Sequence, residues 1–444
     1  MIIKDYIQDV NLGNIDVVDT IKNVLKDVKR INKEYNYFNV ISEELALELA
    51  RKVKKGKLAG LPISIKDCVC VKDVESTAGS EILKGYKPVF NANVVQRIID
   101  EGGIIIGKTS QDEFGFGSFS VNTKNVPLNP FDKTKSCGGS SGGAAGITQK
   151  IDLHLAIAES TGGSIVAPAA FCGVIGFCPT YGQVSRYGLI DYANSLDKIG
   201  VMGKDIEDVE LLFNVIKGDD VHESTTDSKD FESGPLKIGI IKGWKVDSKI
   251  EKLFWDKIEE LKQQGIKVEE VELPLNEKYA LSTYYLIAMA ESSTNLAKYC
   301  GLRYGQQEKL EDNFNEYFTK IRSKYFSKES KRRIMIGTFA RMAGYRDAYY
   351  LKALKVRKML IEEYKKAFKK YPVLACPTMP ILPPKFSEIK KLTPLENYMM
   401  DQLTVGPNLA GLPHISLPLD KYTGIMFIAN HFNENKLFEI SKKW

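Results

Sequence analysis

The stretch from residue 160 to residue 185 contains no charged side chain, which strongly restricts how the chain can fold. About 20 apolar residues suffice to cross a bilayer, so the length alone would allow a membrane helix. Glycines and prolines break such a helix, and the run contains Gly162, Gly163, Gly173, Gly176, Gly182, Pro168 and Pro179. We therefore expect it to lie in the dry interior of a folded protein.

Composition places the chain among folded, soluble proteins. Of its 444 residues, 43% are hydrophobic and 27% are charged, as in a globular chain with a sizeable core. The net charge of +6 comes with scattered lysines and gives no argument for nucleic acid. Charges interrupt the first ten residues, so no signal peptide is predicted. The seven cysteines lack zinc spacing; we expect reduced thiols in the cytoplasm, no metal site and no membrane contact.

Strand and helix patterns alternate from about residue 60 onward. Strand patterns occupy residues 58–69, 104–108, 151–158, 236–243, 266–273 and 373–380, and helix patterns occupy 15–33, 42–56, 93–103, 248–264, 278–300 and 332–370. The alternation predicts an α/β fold with a mixed, mostly parallel central sheet covered by helices. Because no linker separates two halves, we expect an N-terminal helical segment, 1–60, packed on one large domain, 61–444.

The sequence GGIIIGKT, residues 102–109, matches the phosphate-binding pattern G-x-x-x-x-G-K-T. That loop needs a strand before its first glycine and an open backbone between the glycines. Here a helical pattern precedes Gly102, and three β-branched isoleucines favour a strand inside the motif. A nucleotide-binding protein therefore remains only as the alternative from another functional class.

A serine nucleophile needs a base, and histidine is the common one. The chain has four histidines: His154, His222, His414 and His431. None of them can be combined with a G-x-S-x-G elbow and a following acid. If a serine is activated in this chain, another residue type is its base.

Two glycine–serine segments echo each other, SCGGS at 136–140 and STGGS at 160–164. In each, a Gly-Gly pair precedes the final serine, and such pairs let successive backbone N–H groups point to one spot, as in an oxyanion hole. Lys66 lies upstream on an otherwise apolar strand. A lysine becomes a base where burial or nearby positive charge favours its neutral form. The alternative for Lys66 is an ion pair with Asp67 or another acid.

The segments GLPISIKD (60–67), CGGSSGGAAG (137–146) and STGGSIVAPAAFCGVIGFCPTYGQVSRYG (160–188) resemble the amidase signature family. The resemblance implies the amidase signature fold. It also implies an enzyme that hydrolyses an amide bond by nucleophilic catalysis.

The family's catalytic residues transfer to this chain motif by motif. The resemblance implies that Lys66 is the base, that Ser140, in a cis-peptide conformation, relays the proton, and that Ser164 is the nucleophile. It further implies an oxyanion hole formed by the backbone amides of Thr161, Gly162 and Gly163. On this interpretation SCGGS is neither a linker nor a phosphate loop.

Further segments extend the resemblance over nearly the whole chain, among them GKTSQDEFGFGS (107–118), ESSTNLAKYCGLRYG (291–305) and NLAGLPHISLP (408–418). They are similar to the glutamine-hydrolysing A subunits of tRNA-dependent amidotransferases. The resemblance implies that ammonia from glutamine passes to a partner, the B subunit, which binds ATP, Mg²⁺ and misacylated Glu-tRNA(Gln) or Asp-tRNA(Asn). It also implies a small C subunit, and no cofactor in this chain itself.

The same resemblance assigns Tyr304, Arg357 and Asp401 to the glutamine substrate. An arginine fork suits the α-carboxylate, and an aspartate suits the α-ammonium. A stand-alone amidase acting on small amides remains the alternative within the enzyme class.

Two positions depart from the family pattern S-D-T-G-G-S-I-R. Ser160 replaces the acid, and Val166 replaces the arginine. If the two charges pair in the family, losing both together leaves no buried charge unpaired. We expect the change to affect local rigidity and not the triad.

Overall fold

The computed structural model describes residues 3–53, 55–227, 229, 231, 234–310 and 313–444. Eleven strands of these residues form one sheet: β1 Phe38–Ile41, β2 Pro62–Lys66, β3 Ile104–Thr109, β4 Leu155–Ser160, β5 Ile175–Cys178, β6 Lys198–Gly203, β7 Lys237–Ile241, β8 Lys267–Val271, β9 Val373–Pro377, β10 His414–Asp420 and β11 Thr423–Ala429. Their order across the sheet is β1-β3-β2-β4-β6-β5-β10-β11-β9-β7-β8.

The sheet is mixed, as predicted, with parallel pairs toward its two ends. β2 pairs in parallel with β3 and β4, and β7 pairs in parallel with β8 and β9. The other six pairings between described strands are antiparallel, including the β10–β11 hairpin at the centre. The antiparallel share is therefore larger than the sequence indicated, because hairpin pairing depends on contacts that strand periodicity does not report.

Sixteen α-helices lie among the described residues, and several of them pack on the sheet. They are α1 Ile3–Leu12, α2 Val17–Tyr35, α3 Glu43–Lys52, α4 Asn93–Asp100, α5 Gly142–Lys150, α6 Val166–Cys172, α7 Ile206–Ile216, α8 Ser248–Gln263, α9 Pro274–Asn295, α10 Phe314–Tyr325, α11 Lys328–Arg341, α12 Lys352–Phe368, α13 Phe386–Ile389, α14 Pro394–Met399, α15 Val405–Leu409 and α16 Glu434–Ser441. The predicted helical stretch 332–370 is divided, since α11 ends at Arg341 and α12 begins at Lys352.

The N-terminal segment contacts the sheet through a helix and a strand. Helix α3 packs against β3, and β1 pairs antiparallel with β3. The helix predicted over 15–33 is confirmed as α2, whose N-cap Asp16 accepts from two backbone N–H groups. The strand β1 was not predicted, and the division at residue 60 stays a prediction.

The uncharged run lies inside the molecule, as expected. Its residues form α6 and β5, and every residue of both elements is buried. Gly173 separates them with a φ of 63°, a conformation that favours glycine. Among the described helices, none combines the length and apolar character needed to cross a bilayer.

Candidate active site

The candidate active site lies where the parallel strands β2 and β4 end. Lys66 is the last residue of β2 and Ser160 the last residue of β4, and both strands are buried along their whole length. Sites in α/β sheets usually form at the carboxyl ends of parallel strands. The turn between β4 and α6, residues 161–165, therefore lies beside the end of β2.

The second part of the site is the loop of residues 135–141, which precedes α5. Its Gly139–Ser140 peptide bond is cis. A Cβ on Gly139 would lie 2.4 Å from Asp112 Oδ2, so only glycine fits there. The Asp112 carboxylate accepts from two backbone N–H groups of the 120–122 segment, both at 2.8 Å, and burial raises its pKa to about 6. The loop is thus a packed support for Ser140.

The three predicted triad residues lie together. Lys66 Nζ donates to Ser140 Oγ at 2.7 Å, and both residues are fully buried. The backbone N–H of Ser141 donates to the Ser164 carbonyl at 3.3 Å, which connects the two glycine–serine segments. Ser164 is 9% exposed, and its hydroxyl has no hydrogen-bond partner in the described part of the chain. Of the three residues, Ser164 is the one that a substrate can reach.

Backbone N–H groups of Thr161, Gly162 and Gly163 lie in the turn before the serine. Within the described ranges these groups donate to no carbonyl. Packing requires glycine at two of the positions, because a Cβ would lie 2.5 Å from Tyr284 at Gly162 and 2.2 Å from Thr404 at Gly163. Uncommitted donors beside a nucleophile are what an oxyanion hole needs.

A residue that the sequence analysis did not select, Glu159, contacts the lysine directly. Its Oε2 accepts from Lys66 Nζ at 2.8 Å, and its carbonyl oxygen accepts from the same nitrogen at 2.9 Å. Lys66 therefore contacts a serine and an acid at once, so the two interpretations of this lysine coexist. Asp67 lies 3.5 Å from Lys108 Nζ instead. In the sequence, Glu159 could have been noticed as the one acid in the mostly apolar strand pattern LAIAES.

A second buried acid, Asp197, joins the network behind Glu159. Thr161 Oγ1 lies 2.9 Å from Glu159 Oε1 and 2.8 Å from Asp197 Oδ1. The other Asp197 oxygen accepts from the backbone N–H groups of Tyr192 and Ala193. Burial, followed by the negative charge of Glu159, raises the pKa of Asp197 well above its usual range.

Both positions that depart from the family pattern are buried. Ser160 Oγ is buried without a hydrogen-bond partner among the described residues, and Val166 is fully buried in α6. Neither side chain contacts Lys66 through a hydrogen bond. Their effect on the triad therefore stays a prediction.

Arg357 and Tyr304, two of the predicted substrate residues, are held in different clusters. Arg357 Nε donates to the Leu409 carbonyl at 2.7 Å, and its terminal nitrogens donate to Ser195 Oγ and O at 2.8 and 2.7 Å. A guanidinium has five N–H donors, so these bonds leave two for a ligand. Tyr304 packs edge-on against Tyr86. In the described ranges no hydrogen bond or ring contact joins Arg357 to Tyr304.

Asp401, the third predicted substrate residue, accepts from the Tyr285 hydroxyl at 2.6 Å. Burial raises the pKa of its carboxyl, against the hydrogen bonds from Tyr285 and Ser118. Ser118 also lines a cavity of about 780 Å³, together with Arg333 and Tyr398. A cavity of this size suits a small polar ligand.

Known proteins share this architecture and its motifs. The family model described as Amidase matches residues 19–438, and the chain belongs to that family. Within the family, the chain is 43% identical to the glutamyl-tRNA(Gln) amidotransferase A subunit of Archaeoglobus fulgidus, over 94% of this chain and 93% of that protein. It is 39% identical to the protein of the same name from Sulfolobus acidocaldarius, over 99% and 97% of the two chains.

Solved structures confirm the predicted amidase signature fold. The glutamyl-tRNA(Gln) amidotransferase A subunit from Thermotoga maritima is 34% identical, with a TM-score of 0.79 over 94% of this chain and 89% of that chain. A peptide amidase from Stenotrophomonas maltophilia has a TM-score of 0.83 at 23% identity, over 99% and 95% of the two chains. The second likeness concerns the fold alone.

Proposed function

We propose that this chain is the glutaminase component, the A subunit, of a tRNA-dependent amidotransferase. It hydrolyses glutamine to glutamate and supplies the ammonia that converts misacylated Glu-tRNA(Gln) or Asp-tRNA(Asn) to its amidated form. The observation that carries the proposal is the similarity to amidotransferase A subunits over nearly the full length of both chains. The contact between Lys66 and Ser140, and the backbone hydrogen bond from Ser141 to the Ser164 carbonyl, support the same chemistry.

In the first half-reaction, Ser164 Oγ attacks the side-chain amide carbon of glutamine. Its proton passes to Ser140 as the Ser140 proton passes to Lys66. The negative charge that develops on the amide oxygen is stabilised by the backbone N–H groups of residues 161–163. Loss of one donor in such a site costs about 10²–10³-fold in kcat.

The first half-reaction ends when the tetrahedral intermediate collapses and the C–N bond breaks, which leaves the acyl group as an ester on Ser164. The leaving nitrogen takes back a proton from Ser140, which recovers one from Lys66, and ammonia departs. In the second half-reaction, water gives a proton to the same route as it attacks the Ser164 ester. The ester C–O bond then breaks, Ser164 Oγ takes that proton back, and glutamate leaves. No proton is gained or lost by the site over the cycle.

Each of the three subunits of the complex has its own binding role. Arg357 binds the α-carboxylate of glutamine, Asp401 its α-ammonium, and Tyr304 completes the substrate site. ATP, Mg²⁺ and the misacylated tRNA bind to the B subunit, the small C subunit wraps this chain, and the complex acts in the cytoplasm. The uncommitted guanidinium donors of Arg357 and the buried carboxyl of Asp401 support these roles.

Reconstitution tests the proposal. The chain is purified together with its partner B and C subunits, and two reactions are measured separately: glutamate release from glutamine, and ATP-dependent amidation of misacylated tRNA. Both activities are expected in the complex. Hydrolysis of small amides without hydrolysis of glutamine would instead favour a stand-alone amidase.

A further inference from the structure

The amine of Lys66 has more acceptors around it than a simple base needs. Ser140 Oγ lies at 2.7 Å, Glu159 Oε2 at 2.8 Å and the Glu159 carbonyl at 2.9 Å. A protonated lysine has three N–H donors and no acceptor, so this arrangement uses all three donors. Before Lys66 can accept the Ser140 proton, it must therefore give up one of its own.

The acceptor for that proton is already in place. Within the described residues, Glu159 Oε2 is the one carboxylate oxygen that hydrogen bonds to Lys66 Nζ. The Lys66 side chain is 0% exposed and the Glu159 side chain 4%, so bulk water has little access to the pair. Gly115 packs over it, since a Cβ there would lie 3.5 Å from Ser140 Oγ and 3.6 Å from Glu159 Oε2.

The side of Glu159 away from the lysine is also organised. The Thr161 hydroxyl carries one proton, yet it lies within hydrogen-bond distance of carboxyl oxygens of both Glu159 and Asp197. Both contacts are hydrogen bonds only if one carboxyl is protonated. Burial raises the pKa of Asp197 well above its usual range, which favours a neutral Asp197 that donates to Thr161 and leaves the Thr161 proton for Glu159. This leaves Glu159 as the carboxylate that balances Lys66.

We propose that Glu159 and Lys66 share a single proton, which keeps the base available to Ser140 across neutral pH. The inference rests on the proposed amide hydrolysis at Ser164. Glu159 acts through Lys66 and is a positioning residue. The 2.8 Å contact between Lys66 Nζ and Glu159 Oε2, in a site with little access for bulk water, keeps that proton between the two groups.

The proton moves over a short path. The Lys66 N–H bond breaks as the Glu159 Oε2–H bond forms, giving a neutral amine and a neutral carboxyl. The amine then takes the Ser140 proton while Ser140 takes that of Ser164. Protons return along the same path when the leaving nitrogen departs, so charge and protons balance.

Titratable groups on neighbouring elements are engaged elsewhere. Cys68, Asp112, Cys178 and Asp197 interact with Lys66 or Glu159, whereas Tyr192 lies beside Gly115 and Lys198 beside Cys178. Burial raises the pKa of both thiols and of the tyrosine, which keeps them neutral. Burial lowers the pKa of Lys198, whose amine donates to the Leu412 carbonyl at 2.8 Å. None of these groups replaces Glu159 as acceptor.

The test compares the pH dependence of the wild-type complex with that of Glu159→Gln, which keeps the size of the side chain but removes the acceptor. For wild type we expect kcat/KM for glutamine to change less than about threefold between roughly pH 6 and 8, because the Lys66 proton passes to Glu159 and not to solvent. For Glu159→Gln we expect a fall of about tenfold per pH unit on the acid side, because Lys66 must then lose its proton to solvent. KM should stay within about twofold, since Glu159 does not touch the substrate.

Ser160→Ala is the matched control. It changes the neighbouring residue, whose hydroxyl has no partner among the described residues, and should keep the wild-type profile. A wild-type rate that rises steeply with pH, or a Glu159→Gln variant with a flat profile, overturns the proposal. The wild-type profile alone decides the matter if Glu159→Gln does not fold.

A second readout separates this inference from the proposed function. Phenylmethanesulfonyl fluoride sulfonylates an activated serine, and intact-protein mass spectrometry measures the rate of this labelling at Ser164. The rate reports how strongly the serine is activated when no glutamine is present. The same two pH profiles are expected for the labelling rate. If the complex does not hydrolyse glutamine but labelling shows these profiles, the glutaminase proposal fails and the shared proton stands. If glutamine is hydrolysed but wild type and Glu159→Gln show identical pH profiles, the glutaminase proposal stands and the shared proton is excluded.

Discussion

Lys66 Nζ and Ser140 Oγ, which belong to residues 74 positions apart in the chain, lie 2.7 Å from each other, and both residues are fully buried. The end of β2 supplies the lysine, and the glycine loop supplies the serine. A serine held this way has a proton acceptor without histidine. The contact therefore explains how a chain with four histidines, none of them near Ser164 by motif, can activate a serine.

Two replacements of Lys66 distinguish a role as a positive charge from a role as a base. A guanidinium does not lose its proton in proteins, so Lys66→Arg preserves a cation beside Glu159 but removes the base. We expect Lys66→Arg to be as inactive as Lys66→Ala, with glutamine hydrolysis reduced by about 10³-fold or more. Steady-state glutaminase assays of the complex check this, with thermal unfolding as the test of folding. Substantial activity in a folded Lys66→Arg protein would show that the lysine acts only through its charge.

Ser164→Ala should abolish glutamine hydrolysis while the protein stays folded. The oxyanion amides remain in this variant, but no acyl-enzyme can form, so the activity left over should be at least about 10³-fold lower. Intact mass after incubation with phenylmethanesulfonyl fluoride should show no adduct. Ser160→Ala serves as the control and should be slightly more stable than wild type, by up to about 1 kcal/mol, because it removes a buried hydroxyl without a partner. A Ser164→Ala complex that keeps a few per cent of the activity would exclude this serine as the nucleophile.

Arg357→Ala should separate the two reactions of the complex. If Arg357 binds the glutamine α-carboxylate, its loss should lower kcat/KM for glutamine by roughly 100-fold, since truncating one partner of a charged pair costs about 2–5 kcal/mol. Amidation of misacylated tRNA with added ammonium salt should continue at the wild-type rate. Arg357→Lys, which keeps the charge but not the fork, should recover little of the glutamine activity. Failure of ammonium to restore amidation would assign Arg357 to structure, through its bonds to Ser195 and Leu409.

Much of the fold could be predicted because its signals are local. The period of apolar residues located α2, α8 and the strands β2, β3 and β4. The rejected phosphate-loop match illustrates the same point, since β3 occupies Ile104–Thr109 within that motif. Its Lys108 is buried and donates to Ser76 Oγ at 2.6 Å. In contrast, β1 and the β10–β11 hairpin were missed, because they are recognised by their partners and not by their own sequence.

The candidate site was only partly predictable for a related reason. Motifs identified Lys66, Ser140 and Ser164, since glycine pairs and an isolated strand lysine are visible in the sequence. Glu159 was missed because its role depends on a contact with a residue 93 positions away. Strand alternation places Glu159 and Ser160 on opposite faces of β4, so moving an acid by one position changes what it contacts. No rule of spacing could show that the acid faces Lys66.

The free energy of unfolding should decrease at acidic pH because His154 is buried in its neutral form. This histidine is buried between Ser64 and Thr148, and burial lowers its pKa from 6.5 to about 3. Below about pH 6.5 the unfolded chain binds a proton that the folded chain refuses until about pH 3, so the free energy of unfolding decreases over that window. The decrease is about 1.4 kcal/mol per pH unit, or roughly 2 kcal/mol between pH 7 and pH 5.

Urea unfolding of the full chain at several pH values measures this effect. His154→Gln keeps a polar side chain of similar size but cannot take up the proton, so its free energy of unfolding should depend less on pH by about 2 kcal/mol over the same interval. His222→Gln, at an exposed position, should retain the wild-type dependence. Parallel pH curves for wild type and His154→Gln would mean that His154 is protonated in the folded protein, and that the loss of stability at acidic pH arises from other groups.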